Sequence, residues 1–402
     1  MNIGIIGGGA SGLICAIILS KANNKVTIIE KNSTLGKKIL MTGNGRCNYF
    51  NQNMSLDKYY SHDKNLLENI INQENINEVL SFFDNIGIVP NVKNGYYYPA
   101  SNTATAILNS LLIEIKNNNV TTILDTVVTD IKKRQDSFTV ITNNKTYNFD
   151  KVIIAIGSNA GIKEENNLAT IIQNFNLPII NPKPALVPLI LEGNFFRKWS
   201  GIRANASVSI YNKNNFLKSD TGEVQLTDYG ASGICVMNLS SLVANYNVND
   251  LTMHFNFLPN LKKEEVAKFL EERNAKLKNR TIIELLESIV PYKLLYILIS
   301  LSKVSNECHF KSLTTEELER LIKNLCDLTI PIVATKELHK AQVVTGGIRL
   351  SALNEHLEAK NTSDLYFMGE AIDVDGMCGG YNLGFAWLSG LVVANSIIKN
   401  QK

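Results

Sequence analysis

Two stretches near the start of the chain carry residue types and spacings that can do chemistry. In GIIGGGASG at 4–12, Gly7, Gly9 and Gly12 satisfy GxGxxG directly after an apolar run, NIGII, and directly before a helical pattern, LICAIILS. Gly7 permits a tight turn, Gly9 lets backbone approach a pyrophosphate, and Gly12 lets helix pack on strand. Ala10 and Ser11 open that helix, whose N-terminus would receive the phosphates. Glu30 ends the next apolar run, VTIIE, 18 residues after Gly12, where an acid accepts hydrogen bonds from ribose hydroxyls, and Lys31 follows it. The second stretch, LMTGNGRCNYFN at 40–51, holds Thr42, Gly43, Asn44, Gly45, Arg46, Cys47 and Asn48.

Cys47 invites a redox reading, because a thiolate can exchange electrons with a flavin through a disulfide. A local disulfide needs a partner a few residues on, and no cysteine follows before Cys235; a pair with Cys378 is the remaining alternative. Cys47 is therefore expected to line a loop folded on the cofactor, with Gly43, Gly45 and Asn48 allowing backbone approach. Arg46 has three readings: a pyrophosphate partner, a clamp on Glu370 or Asp373, or, ranked last, a substrate carboxylate anchor. Lys37 and Lys38 read as surface charge unless one reaches the phosphates. Cys15 reads as core.

A third stretch separates FAD from NAD. LYFMGEAIDVDGMCGGYNLGFAWLSG near the C-terminus is a strand, then Gly369, Glu370 and Asp373, then a glycine-rich helix start at Gly380, Tyr381, Asn382 and Leu383. A flavin needs contacts beyond its adenosine, and backbone N–H groups at such a helix start can face the N1 and O2 edge. Gly157, which ends the buried run VIIAI, and Val128 complete the cofactor-binding candidates.

These residues require positioning elements. The opening reads strand, glycine turn, helix, strand; NLLENIINQENINEVLSFFDNIG reads as helix stopping at Gly87. TTILDTVVTDIKKRQDSFTVITNNKTYNFDKVIIAIG reads as a meander of three or four strands with NN turns. Pro178, Pro182, Pro184 and Pro188 fall within eleven residues and mark a crossing between domains. Residues 190–257 read as short strands, 261–325 as helices, AQVVTGGI as strand, and a last helix starts near Tyr381.

The chain has 402 residues, 45% hydrophobic and 19% charged, which suits a globular protein of two or three domains. Forty basic and 37 acidic residues give a net charge of +3 with no like-charge block, so no nucleic-acid partner is expected. Six cysteines without CxxC spacing argue against a disulfide framework and for a cytoplasmic location. The apolar stretch from Thr281 carries Glu284, Glu287, Pro291 and Lys293, so two packed helices are expected rather than a membrane crossing. His62, His254, His309, His339 and His356 stand apart in sequence, and no metal site is expected. Tyr96, Tyr97 and Tyr98 read as a pocket wall or as core.

The motifs GGGASG, GKKILMTGNGRCNYFN, GEVQLTDYGASG, VVTGGI, GEAIDVDG and GGYNLGFAWLSG run in order along the chain. In them the sequence resembles the BaiN-type, aminoacetone-oxidase-like family of FAD-dependent oxidoreductases, also called YhiN-like flavoproteins. The resemblance implies an α/β fold: an FAD-binding Rossmann-like domain of glutathione-reductase type, split in sequence, with a small β-barrel and a helical domain inserted. The corresponding boundaries are 1–187 and 346–402 for the FAD domain, 188–258 and 326–345 for the barrel, and 259–325 for the helices. It also implies a small-molecule substrate held between the FAD domain and the insertions, and hydride transfer at flavin N5. NAD(P)H is a candidate co-substrate; with no second GxGxxG, it would visit the same flavin face. One departure is Thr227–Asp228–Tyr229, where the family's barrel motif has Thr-His, so a proton-handling histidine there is in doubt. A flavin-dependent RNA-modifying enzyme and a non-catalytic binding protein on the same fold are the alternatives.

Overall fold

The apolar run at the N-terminus becomes a central strand because both of its faces can be buried. The computed structural model describes residues 1–162 and 167–401. In it β1 (Asn2–Ile6) pairs in parallel with β2 (Lys25–Ile29) on one side and with Lys151–Ile154 on the other. Leu365–Phe367 and Thr121–Ile123 close the two edges, giving a five-stranded parallel sheet. Ile3, Ile5, Ile28 and Ile153 are fully buried, as a parallel sheet covered on both faces requires. The chain leaves β1 toward β2 and later returns to the opposite side of β1. That reversal places the switch point, where such sheets bind ligands, at the carboxyl end of β1.

Two helices pack together beside this sheet: α1 (Ala10–Lys21) and the C-terminal helix Tyr381–Lys399. Gly390 permits their approach, since a Cβ there would lie 2.7 Å from Ile14 and 2.8 Å from the Ser11 carbonyl. The C-terminal helix is long and apolar enough to cross a membrane, and 72% of its apolar window is buried inside the fold. Among the described residues no other helix is.

The meander differs from its sequence reading in one strand. Val128–Lys133, Phe138–Thr142 and Thr146–Phe149 form an antiparallel sheet, with Asn143 and Asn144 in a turn, whereas Thr121–Ile123 joins the parallel sheet. It follows the helix Ala104–Asn117, and a strand reached through a helical crossover can pair in parallel with β2.

The structure has two compact units, Met1–Lys183 with Val343–Lys402, and Pro184–Gln342. The second contains a closed barrel of Leu189–Leu191, Gly230–Ser232, Asn215–Thr227, Arg203–Asn212, Leu251–Asn256 and Leu328–Thr335, in that order. Of the region read as short strands, ASVSIYN and GEVQLT lie in a long ribbon of 10 and 13 residues turned at Lys213–Asn214, Leu251–Asn256 is a short strand of its own, and Ile234–Val243 is a helix. Helices occupy Val266–Lys276, Ile282–Leu286, Tyr292–Leu301 and Thr315–Cys326. Pro291 caps the third and so divides the apolar stretch from Thr281 into two helices.

Candidate functional site

The first glycine-rich turn is built so that two glycines touch backbone and one faces open space. Gly7 has φ of 107°, and a Cβ there would lie 2.4 Å from the Ala155 carbonyl oxygen. A Cβ on Gly12 would lie 2.1 Å from the Gly7 carbonyl oxygen, so this residue sets the approach of helix to strand. At Gly9 a Cβ would meet nothing within 4 Å. Gly9 caps α1 with no side-chain acceptor, leaving the first-turn N–H groups of Ala10, Ser11 and Gly12 facing outward from the helix end. Glu30, buried, accepts from the Gly8 N–H at 2.7 Å through Oε2 and from the Asn32 N–H at 2.9 Å through Oε1. Lys31 beside it is exposed.

The 42–48 loop owes its shape to four left-handed residues, Gly43, Asn44, Gly45 and Cys47. A Cβ on Gly45 would meet nothing within 4 Å, and Thr42 donates its hydroxyl to the Ile39 carbonyl. Burial pushes the Cys47 thiol up to about 11, with a hydrogen bond to Thr42 opposing the shift. No disulfide joins Cys47 and Cys378. Arg46 is exposed and pairs with no carboxylate among the described residues, and its charge lies beside Tyr98. Its expected clamp on Glu370 or Asp373 is absent because packing supplies each acid with another partner. Lys38 Nζ lies 2.7 Å from Glu370 Oε2 and 3.2 Å from Ser158 Oγ, so Lys38 is not merely surface charge. Asp373 is held by His62.

The second glycine-rich start draws on four separate segments. Gly369, with φ of 63°, approaches Ser11 of α1: a Cβ would lie 2.8 Å from Ser11 Oγ. A Cβ on Gly157 would lie 3.6 Å from Glu370 Oε2. Asn382 spends its side chain on Gly376, donating to its carbonyl and accepting from its N–H, both at 2.8 Å. Gly380 has φ of 92°, and a Cβ would lie 2.5 Å from the Phe50 carbonyl and 2.8 Å from Asn48 Oδ1. Tyr96 lies against Gly379, and Tyr59 donates its hydroxyl to the Tyr381 carbonyl at 3.0 Å. No side chain caps this helix, so the N–H groups of Tyr381, Asn382 and Leu383 are open. Asn48 Oδ1 and Thr345 Oγ1 are buried without a hydrogen-bond partner. Val128 starts an antiparallel strand, two residues beyond Thr126, whose N–H donates to the Glu30 carbonyl.

His62 is the residue sequence reasoning missed. It follows a two-residue strand, Tyr59–Tyr60, with no periodicity or motif to mark it. His62 lies 311 positions from Asp373, yet its N–H donates to Asp373 Oδ2 at 3.0 Å and its Nδ1 lies 3.0 Å from the same oxygen. Ser158, Thr345 and the Asn382 side-chain clamp likewise carry no local signal.

Over residues 1–396 the chain matches the family described as the HI0933-like protein Rossmann domain. The protein belongs to that family. It is 32% identical over 402 residues to a 3-dehydro-bile acid delta(4,6)-reductase of Clostridium scindens, covering 98% of each chain. It is 27% identical over 400 residues to a ribosomal RNA dihydrouridine synthase of Escherichia coli, covering 98% of this chain and 97% of that one. A solved 3-ketosteroid delta1-dehydrogenase from Sterolibacterium denitrificans aligns over 99% of both chains at 11% identity with a TM-score of 0.48. As an HI0933-like protein the chain is an FAD-dependent oxidoreductase with a Rossmann-type α/β fold. The residues fit that cofactor. Gly9 leaves room for a pyrophosphate on an uncapped helix end, and the buried acceptor of Asn48 lies beside a second uncapped end.

Proposed function

We propose that the protein reduces a carbon–carbon double bond conjugated to a carbonyl in a small organic molecule, with NAD(P)H as the source of electrons. The observation that carries this reading is the pair of uncapped helix ends in one unit of a chain with full-length relatives of shared chemistry. A delta(4,6)-reduction of a 3-dehydro compound and the formation of dihydrouridine both saturate such a bond. Six cysteines with no disulfide among them fit a cytoplasmic location.

Bound FAD supplies a hydride from N5. The chain's own residues bind and orient it. Glu30 would accept from the ribose hydroxyls, and the N–H groups of Ala10, Ser11 and Gly12 would hold the pyrophosphate. The open N–H groups of Tyr381, Asn382 and Leu383 would stabilise negative charge on the flavin's N1 and O2 edge. Lys38, Ser158 and Glu370 form a polar cluster that fixes the approach of the 369–376 segment.

An anaerobic assay tests the reading. NADH or NADPH should bleach the flavin band, and a steroid 4-en-3-one should restore it; restoration by oxygen alone would contradict the proposal. A second reading, reduction of uridine in RNA, is favoured by the E. coli relative, whereas the even spread of charge weighs against it. Retention of ribosomal RNA at low salt, with flavin re-oxidation by uridine in that RNA, would replace the small molecule as substrate.

A further inference from the structure

We infer that His62, oriented by the buried carboxylate of Asp373, donates the proton that completes reduction of the double bond; the inference rests on the reductase reading above. Asp373 has no exposed surface. It sits within a segment running from Gly369, which touches Ser11 at the first helix start, to Gly376, which Asn382 locks to the second. Among the described residues no lysine or arginine lies within 4.0 Å of it, so the imidazole is its one partner capable of positive charge. Nδ1 lies 3.0 Å from Oδ2 and 3.2 Å from Oδ1, and because a carboxylate only accepts, Nδ1 carries the hydrogen. Nε2 meets no hydrogen-bond partner among the described residues, and the side chain is 28% exposed.

This arrangement fixes the tautomer and stabilises an imidazolium while leaving one nitrogen free for substrate. The ring of Tyr60 stands edge-on at 5.4 Å. The adjacent Asp63 turns its carboxylate to the Asn65 N–H. Among the described residues Asp373 is the one carboxylate within 4.0 Å of the ring nitrogens.

The step balances. The β-carbon gains a hydride, two electrons and a hydrogen, from the flavin that NAD(P)H has reduced. The π pair moves to the α-carbon, where it forms a C–H bond with the proton leaving Nε2 of His62. The neutral imidazole keeps its Nδ1–H on Asp373 and regains the proton from water.

The experiment mixes dithionite-reduced protein with a steroid 4-en-3-one without oxygen and follows flavin re-oxidation; FAD content and the ring ¹⁵N shifts of His62 are independent readouts. Relative to wild type, H62Q should lose about 10²-fold or more of the re-oxidation rate, within the range of general acid catalysis, with FAD content unchanged. The shifts should report a protonated Nδ1 on neutral His62, and D373N should lose that signature together with part of the rate. D373N decides if H62Q fails to take up FAD. Wild-type rates in these variants, or a neutral His62 protonated on Nε2, overturn the inference and leave the reductase reading standing. A wild type that the enone does not re-oxidise overturns that reading and the inference with it.

Discussion

Each unit of the molecule contains a histidine paired with an aspartate, and the pairs differ in what they leave free. In the barrel unit, His254 Nδ1 lies 2.6 Å from Asp327 Oδ1, closer than the 3.0 Å between His62 and Asp373. Yet the Asp327 side chain is 38% exposed, against 1% for Asp373. Both nitrogens of His254 are also spent, since Nε2 lies 3.1 Å from Thr252 Oγ1. Its ring lies on Tyr211 with centroids 4.3 Å apart, and Asp327 ends the helix Thr315–Cys326. His254 therefore ties a barrel strand to a helix end. His62 stands on a carboxylate that water cannot reach and presents one nitrogen outward. A short contact marks neither role; burial of the acid and a free second nitrogen do.

The largest expected effect breaks the comparison in stability. H62A leaves the Asp373 carboxylate buried without its side-chain donor, which should cost about 3 kcal/mol in a denaturant titration. H254A leaves Asp327 partly in water and should cost less than about 1 kcal/mol. Equal losses would show that burial does not separate the pairs. In the rapid-mixing assay H254Q should leave the rate unchanged, so a loss there would assign proton transfer to the barrel.

A second carboxylate sharpens what burial is for. Glu30 is buried like Asp373, but it receives the Gly8 N–H and Asn32 rather than a histidine. Glu30→Ala should weaken FAD binding by about 1.5–3 kcal/mol through lost charge-assisted hydrogen bonds to the ribose. Titration of apoprotein with FAD reads this directly. Unchanged affinity would remove Glu30 from the cofactor site.

Glu30 and the three glycines were legible in the sequence because one strand, turn, helix and strand bring them together within thirty residues, each step fixed by local geometry. The second helix start was legible as an element and as a candidate flavin contact, but the residues packed around it were not. Asn48, Phe50, Tyr96 and Gly380 meet there from three distant segments, through contacts that leave no periodic trace. Arg46 shows the same limit. Its sequence offered two acids, and packing gave them to Lys38 and His62 instead. The long barrel ribbon was read short because polar residues interrupt its outer face.

Cys47 supplies the smallest predicted effect and a check on burial as the deciding variable. Its thiol is pushed up to about 11 by burial, above the unfolded value of about 8.5. A raised acid of this kind supports the fold below pH about 8.5, where both states hold the proton. That support falls as pH rises toward 11, because the unfolded chain releases the proton first. C47S should therefore flatten the alkaline decline in stability while leaving flavin reduction by NADH or NADPH unchanged. In wild type at pH 8, iodoacetamide should label the partly exposed Cys308 well before Cys47. Prompt labelling of Cys47 would mean that the 42–48 loop opens in solution. Burial read from the folded chain would then overstate how far water is excluded from that loop, and the contrast between the two histidine pairs would rest on the free nitrogen of His62 alone.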